Sequence, residues 1–405
     1  MKVIYNISIY LLSVLLHCLA PVMAKARAMV DGRRGQDFKD PNPTVRPTIC
    51  IHCASLGEFE QGRPLIEALR SAHPQARLVL TFFSPSGYEI RKNYSGVDSV
   101  YYLPFDTPGA TRRFIDDLHP DILFLIKYEF WYNLLNAAHR SGCRIYLVSA
   151  IFREGQSFFK PSWLGGSFFR NILHLFDRLF VQDLPSAALL SSIGLTDKVT
   201  VAGDTRFDRV ASLTTSSPDI APIAQFVGHT PTIVCGSTWG PDEALIIQAM
   251  KAHPEWKFII APHEISEERI DRLIEESGRE SIKYSQIDTA QGGETLLVVN
   301  TIGILSSIYR YGMVSYIGGG FGVGIHNTLE AAAWGKPVVF GPKYQKFQEA
   351  VALIECGAAT CIHNATELNS TFETMMAHGA QSGALACEFV KSHIGATSKI
   401  MSFDL

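Results

Sequence analysis

The sequence predicts an α/β protein made of two Rossmann-like halves. Continuous apolar runs alternate with helix-like patterns, which means parallel strands covered on both faces. The pattern breaks at a linker-like stretch, residues 213–222, and restarts after Pro231. Glycine-bearing turns follow strands in both parts, as at Ser55-Leu-Gly-Glu58 and Gly236-Ser-Thr-Trp-Gly240. At 405 residues, with 47% hydrophobic content, the chain is long enough for two such cores.

The chain opens with an apolar segment, residues 4–23, that carries no charge between Lys2 and Lys25. It approaches the ~20 residues a membrane span requires. Lys25, Arg27, Arg33 and Arg34 follow, and the positive-inside rule puts that flank, and all that comes after it, in the cytoplasm. Residues 1–30 are therefore expected to be an N-terminal membrane anchor with a basic flank. A cleaved signal peptide ending near Val22-Met-Ala24 is the rival, disfavoured by those bases. Asn6, His17 and Pro21 keep an interfacial helix open.

The first half is expected over 31–211. Strand 48–54 leads into the Ser55–Glu58 loop and a helix from about 61 to 72. Strand 77–83 is followed by Ser84-Pro-Ser-Gly87, which opens another helix. Further strands read at 121–126, 144–149, 178–182 and 198–202. The second half is expected over 212–405, with strands at 232–235, 257–261, 295–299, 313–317 and 337–340. Ligands bind at the carboxyl ends of such strands, so a cleft between the two domains is the expected site.

A net charge of −3 argues against a nucleic-acid binder. Eight cysteines in so long a chain do not read as a disulfide framework. Cys50 and Cys53 sit three apart on a strand, so they point to opposite faces and chelate poorly. Reduced thiols in a cytosolic compartment fit better.

The densest signal is residues 315–341, read as strand, glycine loop, helix, strand. Five glycines lie between 318 and 324, Gly320, Gly322 and Gly324 among them. Asn327 or Thr328 can cap the helix that follows. Glycines let a backbone approach a ligand, and a helix N-terminus offers N–H groups to a phosphate. Glu330 can accept from a ribose diol, which suits a nucleotide-activated donor. Ser237 and Thr238 are candidates for a phosphate or anionic sugar, with Asp242 as a helix cap. His263, at a strand end, could contact the nucleotide.

In the first half, Glu58 follows a strand end and is placed to act as a general base. Capping by the helix dipole is the alternative, and Glu60 reads as a solvated first-turn residue. Glu129, in Lys127-Tyr-Glu-Phe-Trp-Tyr-Asn133, also follows a strand and can converge with Glu58. Tyr128, Phe130, Trp131 and Tyr132 are either packing or an acceptor platform. Basic and aromatic residues recur from Arg153 through Lys160 to Arg170, on a segment that could meet an anionic lipid.

Together these residues resemble the 3-deoxy-D-manno-octulosonic acid (Kdo) transferases of lipopolysaccharide assembly, of the GT-B fold. Ser55-Leu-Gly-Glu58 resembles the family's S-x-G-E, whose glutamate is taken as the base. Tyr128-Glu-Phe-Trp131 resembles E-x-E-L-W, with Glu129 on the second acid. Gly203-Asp-Thr-Arg-Phe-Asp208 resembles G-S/N-x-K-F-D, with Arg206 for the usual lysine. Gly324-Ile-His326-Asn327-Thr-Leu-Glu330 resembles the nucleotide-contacting G-G-H-N-x-L-E. The family's P-R-H becomes Ala261-Pro-His263, which lacks the arginine; Lys343 and Lys346 are candidate substitutes.

The resemblance implies inverting transfer of Kdo from CMP-Kdo to a lipid A precursor (lipid IVA) on the cytoplasmic face of the cell inner membrane, with Glu58 and Glu129 catalytic. It implies donor contacts from Ser237, Thr238, His263, Gly320, Gly322, Gly324, His326, Asn327 and Glu330. Acceptor contacts would come from Ser55, Gly57, Arg153 and Lys160. No metal or cofactor is expected, since helix N-termini and hydroxyls can hold the leaving phosphate. The rivals are another GT-B enzyme, such as a UDP-GlcNAc 2-epimerase or a peptidoglycan glycosyltransferase, and a two-lobed periplasmic binding protein.

Overall fold

A computed structural model describes residues 1–40 and 47–403. The chain divides into two compact units. The first is Met1–Arg209 together with the segment that starts at Ile394, and the second is Val210–His393.

The first unit holds β1 (Thr48–Cys53), β2 (Arg77–Phe82), β3 (Ser99–Tyr102), β4 (Ile122–Ile126), β5 (Arg144–Ala150), β6 (Arg178–Val181) and β7 (Val199–Val201). They form one sheet in the order β3-β2-β1-β4-β5-β6-β7, paired in parallel throughout. Every residue of β1, β2 and β4 is buried, as strands covered on both faces require. Cys50 lies in one core and Cys53 in the core on the other face, so the C-x-x-C holds no shared site.

The second unit holds β8 (Thr232–Thr238), β9 (Lys257–Pro262), β10 (Ser281–Lys283), β11 (Leu296–Val298), β12 (Val314–Ile317), β13 (Val338–Phe340) and β14 (Ala359–Cys361). Their order is β10-β11-β9-β8-β12-β13-β14, again all parallel. Both units are therefore Rossmann-like. The sequence reading passes over three strands, β3, β10 and β14, none of whose residue runs is buried throughout.

The N-terminal segment forms helix α1 (Lys2–Leu19) and helix α2 (Ala24–Asp31). One face of α1 is docked on the first unit. Tyr5 donates to Asp106 Oδ2 (2.5 Å), and Asn133 Nδ2 donates to Asn6 Oδ1 (2.8 Å). Ile9 is buried. The opposite face leaves Val3, Ile4, Ile7, Tyr10, Leu11, Val14 and Leu15 exposed. Arg33 is not a free flanking charge. Its guanidinium donates to the carbonyls of Met29, Phe83 and Leu103 and lies 4.5–4.9 Å from the rings of Phe83, Tyr102 and Phe105. Burial lowers its pKa to about 10.

Three local expectations change. The Ser55–Glu58 loop is already helix, because α3 starts at Leu56 and runs to Ala72. Ser55 is its N-cap, in extended conformation. The linker-like stretch is largely helical as well, in Thr205–Ser216 and Ala221–Val227. There the hydroxyls of Thr214 and Ser216 bond back to the Ala211 and Ser212 carbonyls, so these polar groups are satisfied within the helix. Finally, the chain returns to the first unit at Ile394. Asp208 accepts from the backbone N–H groups of Gly395 (2.6 Å) and Thr397 (2.7 Å) and from the Thr397 hydroxyl (2.7 Å). It thereby caps the last helix, Ala396–Met401.

Candidate functional site

In the first sheet the strand order reverses between β1 and β4. Connections leave these two strands in opposite directions, which opens a crevice at their carboxyl ends. Glu58 follows β1 and Glu129 follows β4, so topology brings the two sequence-predicted acids together. On the first turn of α3, Glu58 Oε2 accepts from the Ala54 N–H at 2.5 Å. Glu129 is buried, and its Oε2 accepts from Trp131 Nε1 (2.5 Å) and His52 Nε2 (3.2 Å). The Trp131 ring is fixed by stacking on Phe83, with centroids 4.9 Å apart.

Burial, and then the charge of Glu129, push the Glu58 carboxyl above its ordinary range; the Ala54 N–H, His52 and Lys127 oppose them. A side chain at Gly57 would meet nothing within 4 Å, so the turn before Glu58 is open at that position. Lys127 and Ser149, at the ends of β4 and β5, adopt left-handed φ of 72° and 56°. Such strain clusters at functional sites. A carboxylate with one oxygen pinned and a raised proton affinity is equipped to take a proton.

The four aromatics after β4 part company. Phe130 packs on Phe152 and Phe158. Tyr132 packs on Tyr5 and Phe168, against α1. Trp131 serves Glu129. Tyr128 is 40% exposed, with Arg153 and Arg206 near enough to oppose the rise that burial imposes on its phenol. Arg153 and Lys160 are exposed. Arg170 shapes their segment by donating to the carbonyls of Phe158 (3.2 Å) and Lys160 (3.0 Å), so it is engaged within the loop. Glu60, read as a solvated residue, instead pairs with Arg91 (2.9 Å) and Arg209 (3.3 Å).

In the second sheet the reversal falls between β8 and β12. Ser237 and Thr238 end β8, and the glycine loop follows β12. Buried Asp242 joins the two. Its Oδ2 accepts from the N–H groups of Trp239 and Gly319 at 2.9 Å each, and its Oδ1 accepts from the Tyr316 hydroxyl at 2.8 Å. It is thus more than the helix cap the sequence indicates. The glycines are required by contact: a Cβ at Gly318 would sit 2.3 Å from the Ser237 carbonyl oxygen, and one at Gly320 would sit 2.6 Å from Gly341.

His263 stacks on Trp239 and on His326, with ring centroids 4.5 Å apart in each pair. Trp239 Nε1 donates to His326 Nε2 (3.1 Å). Burial and then His263 lower the His326 pKa, so this imidazole is held neutral. Asn327 Nδ2 donates to half-buried Glu330 (3.1 Å), while Asn327 Oδ1 accepts from Leu329 N–H (3.1 Å). The helix behind the loop is short, Leu329–Ala333, so its dipole offers less to a phosphate than expected. Thr238 is fully buried and its hydroxyl donates to Glu243 (2.8 Å), whereas Ser237 is half-buried with φ of 54°. Lys343 Nζ donates to the Gly322 carbonyl (2.6 Å) and so braces the loop, and Lys346 is exposed.

Sequence reasoning passed over Arg269, which pairs with Glu243 (3.2 Å) and Glu264 (3.4 Å) and lies over Trp239. It also passed over His52. The available signal for His52 was one imidazole inside an otherwise small and apolar strand. Among the described residues, no group of three or more His, Cys, Asp or Glu side chains could hold a metal ion.

Residues 29–209 match the family described as 3-deoxy-D-manno-octulosonic-acid transferase (kdotransferase). The chain is 29% identical over 400 residues to the 3-deoxy-D-manno-octulosonic acid transferase of Bordetella pertussis, covering 91% of this chain and 89% of that protein. It is 27% identical over 339 residues to the enzyme of the same name from Aquifex aeolicus, covering 82% and 86%. It is also 25% identical over 363 residues to a bifunctional glycosyltransferase/methyltransferase of Fusobacterium nucleatum, covering 87% of this chain but 56% of that longer protein. Among solved structures, a UDP-GlcNAc 2-epimerase from Neisseria meningitidis superposes with a TM-score of 0.62 at 16% identity, covering 87% of this chain and 98% of that one. A glycosyltransferase from Rickettsia africae superposes at 0.55 and 12% identity, covering 88% and 97%. These likenesses identify the fold.

Proposed function

We propose that this chain, which belongs to the Kdo transferase family and is a glycosyltransferase, moves Kdo from CMP-Kdo to a hydroxyl of a lipid A precursor, with inversion. Glu58 carries the reading. It stands at the switch point of the first sheet, with one oxygen pinned by Ala54 and its proton affinity raised by burial and Glu129. Glu58 takes the acceptor proton as the acceptor oxygen attacks the anomeric carbon. The bond from that carbon to the CMP phosphate breaks, and CMP leaves with the electron pair. Glu129 sets the charge beside the base. Ser55 and Gly57, on the turn before Glu58, meet the acceptor, with Arg153 and Lys160 as contacts for the anionic lipid.

In the second unit the backbone of Gly320, Gly322 and Gly324, the Ser237 hydroxyl and the His263–His326 stack hold the donor. Asn327 orients Glu330 for the cytidine ribose. Thr238 supports this site through Glu243 rather than by touching the donor. The apolar outer face of α1 rests on the cytoplasmic leaflet of the inner membrane. Its polar inner face, tied to Asp106 and Asn133, favours a helix lying in the interface over one crossing the bilayer.

The test is transfer to a tetraacylated lipid A precursor in detergent, with freshly generated CMP-Kdo. A Kdo-bearing lipid is expected from wild type and not from Glu58→Ala. No product from folded wild type with CMP-Kdo, or full activity in the variant, overturns the reading.

A further inference from the structure

We infer that His52 is a positioning residue of this site, locking the Glu129 carboxylate so that its charge stands in one orientation beside Glu58. The inference rests on the reading of Glu58 as the base.

His52 is wholly buried in β1, among apolar side chains. An imidazole there is costly unless its polar atoms are partnered. Both are: Nδ1 lies 2.9 Å from Thr81 Oγ1, and Nε2 lies 3.2 Å from Glu129 Oε2. An ionised carboxylate has no proton to give, so Nε2 must carry the hydrogen and Nδ1 must accept from the Thr81 hydroxyl. Thr81 could instead donate to the Ile51 carbonyl, but at 3.5 Å that contact is much longer. The chain Thr81, His52, Glu129 therefore fixes the tautomer, and the tautomer fixes the acid.

Trp131 donates to the same Glu129 oxygen. Two donors from different elements, β1 and the segment after β4, converge on that one atom and stop the carboxylate from turning. The ionisable groups that interact with Glu129 are Glu58 from α3 and His52 and Cys53 from β1, and Lys127 from the segment after β4 acts on Glu58 in turn. Of these, Lys127 is the cation. Without the His52 donor, Trp131 alone would hold that oxygen, and the charge beside Glu58 would lose its fixed orientation.

The experiment measures kcat and both KM values across pH for wild type, His52→Leu, His52→Gln and Thr81→Val. His52→Leu should lower kcat by about tenfold or more, as loss of orientation does, with the donor KM unchanged. Its acidic limb should shift, because a Glu129 carboxylate held less firmly no longer sets a fixed charge beside Glu58. In His52→Gln the amide can accept from Thr81 and donate to Glu129, so most of kcat should return. Thr81→Val frees the tautomer and should move the limb in the same direction as His52→Leu.

Wild-type kcat and limb in His52→Leu would overturn the inference. So would His52→Gln as impaired as His52→Leu with the limb unmoved in both, since that is a packing effect. If His52→Leu fails to fold, an unmoved limb in Thr81→Val overturns it. Should wild type transfer no sugar, the function falls separately. The His52 claim is then read from the pH dependence of Trp131 emission, taken as the difference from Trp131→Phe. Identical curves in wild type and the His52 or Thr81 variant overturn it; a displaced curve supports it.

Discussion

The two switch points are built from different materials. At the end of β1 and β4 the working atoms are side chains: Glu58 and Glu129, trimmed by His52, Trp131 and Lys127. At the end of β8 and β12 they are mostly backbone, with glycines passing close to Ser237 and Gly341 and one buried acid, Asp242, pinning loop to helix. On the proposed function, the difference follows from the task. Taking a proton requires a group whose affinity can be tuned by burial and neighbours. Holding a phosphate and a sugar requires close approach and N–H groups in fixed places. Damage should accordingly read out as lost kcat in the first unit and as lost donor affinity or folding in the second.

The largest break should come at Glu58. Glu58→Ala should lower kcat by about 10²–10⁴-fold, the range of a general base. CMP binding measured by calorimetry should be unchanged; a large loss of CMP affinity would blur the contrast. Gly318→Ala should act in the opposite sense. Its Cβ meets the Ser237 carbonyl at 2.3 Å, so it should destabilise the second unit by about 1–3 kcal/mol and weaken donor binding. Urea unfolding and CMP titration check this, and wild-type values in both would show that the loop has slack.

Glu58→Gln sharpens the comparison through stability. The folded-state pKa of Glu58 is raised, so its contribution to stability falls as pH rises from the ordinary carboxylate range through that raised value. Above that raised value the buried charge costs the wild type stability. The glutamine variant should melt higher by about 2 °C at pH 8, and the gap should close in acid. Melting curves at several pH values decide it, and a gap that widens in acid would reverse the sign.

The smallest effect is expected at Tyr5→Phe. Asp106 is buried, and its pKa is raised to about 6 chiefly by that burial, with Tyr5, Asn133 and Leu134 as donors. Removing the tyrosine hydroxyl should cost about 1 kcal/mol at neutral pH. The loss should shrink as pH falls below 6 and Asp106 takes up its proton. Equal losses at pH 5 and pH 8, in urea titrations, would separate α1 docking from the charge of Asp106.

Much of this molecule was written in local order. Apolar runs at 48–53, 77–82, 122–126 and 232–235 are long enough to declare buried strands, and their alternation with helices declares parallel sheets. Glycines 318–324 declared a turn in which backbone passes close to backbone, because only glycine tolerates such approach. Glu58 and Glu129 could be named because each follows a strand end.

What the sequence could not show depends on atoms far apart in the chain. Whether Ser55–Glu58 is loop or helix was decided by packing of α3, with Phe59, Leu65 and Leu69 buried. His52 acquires meaning only because β2 and the segment after β4 bring Thr81 and Glu129 to its two nitrogens. Asp208 holds the C-terminal segment across 187 residues of sequence. Arg33, a flanking charge by composition, turns inward because three aromatic rings and three carbonyls surround it. Periodicity and turn chemistry are local, so sequence determined the elements and the switch-point residues. Burial, tautomer and carboxylate charge are properties of neighbours, and only the tertiary structure decides which neighbours meet.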